Sequence, residues 1–261
     1  MEISNQFAWS GKEQQRRNSL FLPSNIRGLI VGKSNCGKTT LLMNLLLQSD
    51  WLDYNHLYVF GKSLHQREYK ILRKGLESGL SKEQISNVFK NQEEVTANRM
   101  DPEKLIEQYI DQGGIVNGKI KANFYNECSN QIPDPTELNE HEKNLLILDD
   151  CLLEKQTKAE AYYTRGRHNN CDAFYISQNY FRLPRQTIRE NANLIILFPQ
   201  DAKNISHIHA DHCTDMEMKE FKDFCHTVWK VRYNFVTIDL TSSKFNGKYR
   251  ENFDRFYFTD T

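Results

Sequence analysis

Gly32-Lys33-Ser34-Asn35-Cys36-Gly37-Lys38-Thr39 spells G-x-x-x-x-G-K-T, a residue set with a specific chemistry attached. Glycines let a backbone turn sharply and aim its N–H groups at phosphate oxygens. A helix that follows adds the positive end of its dipole. In that arrangement Gly32, Lys33, Ser34, Asn35, Cys36, Gly37, Lys38, Thr39 and Thr40 surround the phosphates of ATP. Lys38 reaches the β- and γ-phosphates, and the Thr39 hydroxyl ligates Mg²⁺.

A second group of residues fits the same chemistry. Asn144-Leu145-Leu146-Ile147-Leu148-Asp149-Asp150 is an apolar run ending in two carboxylates. Asp149 is expected to hold the Mg²⁺ shell from a strand adjacent to the loop, and Asp150 to orient or deprotonate an attacking water. The plainer role for Asp150 is to cap the helix that follows. Gln178 ends the next apolar run, Phe174-Tyr175-Ile176-Ser177, where a side chain can touch both water and γ-phosphate. Its plainer role is that of a turn residue. Five arginines lie between Tyr162 and Glu190, at 165, 167, 182, 185 and 189. Ring ATPases place an arginine of one subunit against the γ-phosphate of the next. Arg165 and Arg167 lead as candidates, with Arg189 second and a solvated basic face as the alternative.

These groups need a scaffold, and five short apolar runs supply one: Gly28–Val31, His56–Phe60, Asn144–Leu148, Ala173–Ser177 and Asn193–Phe198. Continuous rather than alternating hydrophobicity predicts strands covered on both faces, hence an α/β fold with a mostly parallel central sheet flanked by helices. Leu41, Leu42, Leu45 and Leu46 predict a helix after the loop, giving the strand–loop–helix context that a P-loop requires. The strand-like run HLYVF falls between Thr39 and Asp149 in sequence. An extra strand between the loop strand and the acid strand marks hydrolytic, motor-type P-loop ATPases.

One P-loop ATPase domain over 1–261 is expected. Residues 1–26 form an N-terminal extension, 62–143 a mostly helical crossover, and 200–261 C-terminal helices and edge strands. Within the crossover, Ser81-Lys82-Glu83-Gln84 reads as a capping box, Asp101-Pro102 as a helix start and Asn117-Gly118 as a turn.

Lys plus Arg and Asp plus Glu both number 34, so no whole-surface basic field exists and contact with nucleic acid must be local. Lys12–Arg17 is a weak candidate for it. The six cysteines contain no C-x-x-C pair, which argues against a disulfide framework and for a reducing, intracellular compartment. No run approaches membrane-spanning length. His207, His209, His212, Cys213, Cys225 and His226 invite a zinc reading. However, Asp201–Asp211 and Met216–His226 read as helices, on which residues two apart do not share a face. The Tyr249–Tyr257 stretch reads as sheet-edge packing, with a capsid-binding tail as the alternative.

Taken together the motifs resemble the genome-packaging ATPases of the FtsK–HerA superfamily, in the branch found in poxviruses, giant viruses and Polinton (Maverick) transposons. The resemblance rests on Ser34–Thr39, Leu64-His65-Gln66-Arg67-Glu68-Tyr69, Leu148-Asp149-Asp150, Gly166-Arg167-His168, Ile176-Ser177-Gln178-Asn179, Leu183-Pro184 and Ile188-Arg189-Glu190-Asn191-Ala192. They occur in the family's order from about Arg27 to Phe198. Lys33 stands where many relatives carry proline. The acid pair is Asp-Asp where many motors have Asp-Glu, so Asp150 is one methylene short for its role.

The resemblance implies ATP hydrolysis with Mg²⁺ that drives double-stranded DNA into a preformed capsid. It further implies a homo-oligomeric ring of about five or six subunits, a capsid or portal-vertex protein as partner and no membrane. The place of action would be the host nucleus or a cytoplasmic viral factory, and transiently the capsid vertex. The residues alone imply only a hydrolytic P-loop ATPase. Other readings are a helicase, a conjugation-type translocase or a nucleotide-gated scaffold without turnover.

Overall fold

Each of the apolar runs is a strand, and together they build the centre of a nine-stranded sheet. The computed structural model describes residues 18–90, 101–112, 117–127 and 131–257. The first half of the chain supplies β1 (Arg27–Val31), α1 (Lys38–Leu47), β2 (His56–Gly61), α2 (Arg67–Glu77), α3 (Lys82–Lys90), α4 (Pro102–Asp111) and β3 (Lys121–Tyr125). The second half supplies β4 (Asn144–Asp149), α5 (Thr157–Arg165), β5 (Cys171–Ser177), β6 (Leu194–Leu197), α6 (Ala202–His212), α7 (Met218–Val228), β7 (Val236–Asp239), β8 (Tyr249–Glu251) and β9 (Arg255–Phe256). The strand order is β3-β2-β4-β5-β1-β6-β7-β8-β9. All pairs from β3 to β6 are parallel, and the remaining three are antiparallel.

Strand periodicity splits the core in two. Leu29, Val31, Leu146, Leu148, Tyr175, Ile195 and Leu197 face one way with Tyr162, Ile208 and Phe224 from α5, α6 and α7. Ile30, Val59, Leu145, Ile147, Phe174, Ile176 and Ile196 face the other with Leu42, Leu72, Ile85 and Ile106 from α1 to α4. Every residue of β4, β5 and β6 is buried, which is why those runs lack a polar alternation. At the N-terminal edge of the sheet, buried Lys143 and Asp172 pair at 2.9 Å. Asp172 also accepts from the Asn18 amide and the Ile26 N–H, both at 2.8 Å.

The sheet places a strand between the loop strand and the acid strand, but not the one that the sequence order suggested. That strand is β5, so Asp149 stands one strand away from the loop rather than adjacent to it. The HLYVF run is β2, on the far side of β4. Residues 62–143 carry α2, α3 and α4 and also β3, which the sequence reading passed over. The capping box forms reciprocally between Ser81 and Gln84, and Asp101 caps α4. Asn117-Gly118 is irregular chain rather than a turn, with the Gly118 N–H bonded to the Gly79 carbonyl at 2.7 Å. Cys36, Cys171, Cys213 and Cys225 are free, whereas Cys151 is disulfide-bonded, a single bond that the reading against a disulfide framework did not foresee. Among the described residues no helix is long and apolar enough to cross a membrane. The Lys12–Arg17 patch lies outside the described residues.

Candidate nucleotide-binding site

The loop after β1 is pinned by its neighbours before it turns. The Gly32 N–H donates to the Ser177 carbonyl at 3.1 Å and the Phe198 N–H to the Val31 carbonyl at 2.9 Å. A Cβ at Gly32 would stand 2.5 Å from Cys36 Sγ and 2.6 Å from Phe198 Cβ, so only glycine fits. Gly37 has φ 105°, a left-handed conformation open to glycine at little cost. It directly precedes α1, so Lys38, Thr39 and Thr40 occupy the first helical turn, where N–H groups lack intrahelical partners. The Lys38 ammonium donates to the Gly32 and Lys33 carbonyls, both at 2.7 Å. It is thereby held over the mouth of the loop.

Asp149 comes to the same edge through strand register. It pairs with Ile176 of β5 and with Gly61 of β2. A Cβ at Gly61 would meet the Asp149 carbonyl oxygen at 2.9 Å, so the glycine permits that close approach. Asp149 is buried, and Tyr69 of α2 donates its hydroxyl to one carboxylate oxygen at 2.7 Å. Burial raises the Asp149 pKa above the usual carboxylate range. The Tyr69 bond and the Lys38 charge oppose that rise, while the Asp150 charge adds to it.

Asp150 has φ 56°, and its N–H closes the ladder onto the Ile176 carbonyl at 3.2 Å. It does not cap the next helix. That helix is α5, beginning at Thr157 with Gln156 at its N-cap. Gln178 follows Ser177 at the end of β5, and its Oε1 accepts from the Ser34 hydroxyl at 3.2 Å. Loop, acid pair and glutamine therefore line one cleft of about 820 Å³, together with Asn44, Ser63, Gln66, Glu68, Tyr233, Phe198 and Phe235.

The three arginines separate clearly. Arg189 is buried, with an ion pair to Asp211 at 2.9 Å and its guanidinium 5.0 Å from the Tyr180 ring centroid. It holds the segment after β5 against α6 and is not placed to reach another subunit, contrary to its standing as second candidate. Arg165 and Arg167 are exposed, the first in a 3.3 Å pair with Asp134 and the second 3.4 Å from His168 Nε2. They precede β5, whereas the cleft lies at its far end, about 20 Å along a seven-residue strand. Neither serves this cleft within its own subunit.

No family model matches the sequence, and no curated protein matches it. Among solved structures, the genome-packaging NTPase B204 from Sulfolobus turreted icosahedral virus 2, in complex with sulfate, has a TM-score of 0.52. The identity is 12% over 87% of this chain and 96% of that one. The AMPPCP complex of B204 matches with a TM-score of 0.51 and 12% identity, over 88% of this chain and 98% of that one. This chain has the fold of B204. At 12% identity the likeness to B204 is one of fold, a P-loop NTPase sheet flanked by helices.

Sequence reasoning missed Tyr69 as the Asp149 partner, although it ends the Leu64–Tyr69 motif, and missed Glu68 beside it. It also missed Tyr233 and Phe235, which come from the chain between α7 and β7 and carried no motif. The zinc constellation resolves into α6 and α7, where His209 Nε2 lies 2.7 Å from the Met216 carbonyl oxygen and His212, Cys213 and Cys225 have little exposure. Among the described residues no group of three or more His, Cys, Asp or Glu is placed to hold a metal. The Tyr249–Tyr257 stretch forms β8 and the β9 edge, with Tyr249 and Phe253 buried.

Proposed function

We propose that this chain is a Mg²⁺-dependent ATPase that couples hydrolysis to movement of double-stranded DNA, and that the DNA is a viral or virus-like transposon genome entering a preformed capsid. The observation that carries the ATPase reading is the convergence of the loop, Asp149, Asp150 and Gln178 in one cleft at the C-terminal edge of the sheet, with β5 between loop strand and acid strand. The fold shared with B204, a genome-packaging NTPase, and the ordered motifs support the finer reading.

In this reading the loop N–H groups and the α1 N-terminus hold the phosphates, and Lys38 exchanges its carbonyl partners for phosphate oxygens. The Thr39 hydroxyl and the buried Asp149 carboxylate, a hard-oxygen donor set, suit Mg²⁺. When bound, that ion neutralises charge building on the β- and γ-phosphate oxygens. Tyr69 occupies one Asp149 oxygen and fixes the other in direction. Asp150 accepts the proton of the attacking water as the bond from γ-phosphorus to the leaving oxygen breaks. Gln178 positions that water, and its bond to Ser34 links the water site to the loop.

Arg165 or Arg167, from the neighbouring copy in a homo-oligomeric ring, stabilises the transition-state charge. The capsid or portal-vertex protein is the partner against which the ring works. Turnover measured with linear duplex, single-stranded and forked DNA tests the DNA assignment. Stimulation by long duplex that weakens steeply with salt is expected. Preference for single strands or unwinding of the fork would make the chain a helicase instead.

A further inference from the structure

Tyr233 is conspicuous on three independent grounds. It is 54% exposed, it lines the phosphate-loop cleft, and its backbone sits at φ 69°. A bulky residue in that region is strained and persists only where the surroundings over-determine it. Here they do. The Asn234 N–H closes a turn onto the Val231 carbonyl at 3.2 Å, and the Asn234 amide donates to Glu251 at 2.8 Å. The Phe235 N–H donates to Asn252 at 3.2 Å, and the Asn252 N–H returns to the Phe235 carbonyl at 2.8 Å. The ring is held against the loop itself: its Cδ1 lies 3.3 Å from where a Gly37 Cβ would stand, and Phe198 Cε1 lies 3.5 Å from the same point.

We infer that Tyr233 is the platform on which the base of a purine nucleoside triphosphate stacks. This rests on the reading of the loop as a phosphate site. A triphosphate seated at the start of α1 must lay its sugar and base along the cleft wall, and Tyr233 with Phe198 and Phe235 makes that wall aromatic. A ring has two faces, and the Arg232 guanidinium takes one, 4.6 Å from the centroid. More than half of the residue stays exposed, which gives a base surface on which to stack. Stacking on an aromatic tolerates any base because every base has a π-face. The wider purine ring overlaps more of a tyrosine, so ATP and GTP bind alike and UTP binds less tightly.

The test is calorimetric titration of the full chain with Mg²⁺ and ATP, UTP or inorganic tripolyphosphate. Tyr233→Gly removes the ring and accepts the same φ without strain, and Tyr233→Phe keeps the ring. Tyr233→Gly is expected to weaken ATP about tenfold or more, to leave tripolyphosphate unchanged and to melt as the wild type does. Tyr233→Phe should bind ATP within about twofold of wild type, because the ring is retained. Unchanged ATP affinity in Tyr233→Gly, equal loss of ATP and tripolyphosphate, or wild-type UTP binding as tight as ATP would each overturn the platform. A wild type that binds tripolyphosphate as tightly as ATP overturns the platform and leaves the phosphate site standing. One that binds neither overturns both.

Discussion

In the proposed Mg²⁺ site Asp149 must be charged and buried at once, and the two demands pull against each other. Burial favours its neutral form, so the folded chain holds this proton more readily than the unfolded chain does. Above the ordinary carboxylate range, charging Asp149 therefore opposes folding, and the cost vanishes at acid pH where both states are protonated. Asp149→Asn keeps an acceptor for Tyr69 and removes the charge. It is expected to melt higher than wild type at pH 7, with the difference closing as pH falls toward 4, while phosphate release is lost. Equal melting at pH 7 would contradict the desolvation argument. Gln178→Ala should lower kcat about 100-fold with little change in KM, the signature of a group that acts on the water rather than on ATP binding.

Elements decide which of these side chains meet. β5 carries Ser177 and Gln178 past the loop because it lies between β1 and β4. Chain order alone gives β2 as the intervening strand, since pairing between distant segments leaves no local mark. β1, β2, β4, β5 and β6 were legible because burial on both faces makes their sequences continuously apolar. β3 was not: Lys-Ala-Asn-Phe-Tyr is a half-exposed edge strand whose polar residues match its surroundings. That the glycine loop, Asp149 and Gln178 meet in one cleft was legible because each follows or ends a buried parallel strand at the same edge of the sheet. The burial of Arg189 was not, since its partner Asp211 comes from a later helix. Loss of that buried pair predicts a structural defect: Arg189→Met leaves Asp211 with only the Tyr180 hydroxyl at 2.8 Å and the more distant Arg185 at 3.8 Å, and should destabilise by about 3 kcal/mol in urea titration. By contrast, Arg167→Ala should leave the urea midpoint unchanged and cut turnover about 10³-fold in the assembled protein. An Arg189 variant with wild-type stability would restore it as a finger candidate.

At the scale of the whole molecule, acid sets a limit that the cleft does not control. Burial lowers the His212 pKa to about 4, against about 6.5 in an unfolded chain. Between those values the unfolded state binds the extra proton, so stability is full above about pH 6.5 and falls through about pH 4, by about 3 kcal/mol. His212→Gln should flatten that part of the stability profile in urea titrations at pH 7.5 and 4.5, and an unchanged slope would contradict it.

The charge balance of the chain leaves any DNA contact to local surfaces, and in the proposed ring it is subunit assembly that would bring those surfaces and the exposed arginines to their targets. The central claim is that the cleft hydrolyses ATP to move duplex DNA, and steady-state phosphate release tests it most directly. Wild type and Lys38→Ala would be compared with Mg²⁺ and ATP, with and without long linear duplex. Turnover that duplex DNA stimulates and that Lys38→Ala abolishes is the predicted result. Tight ATP binding in an assembled ring with no phosphate release under any DNA condition would contradict the account and make the chain a nucleotide-gated scaffold.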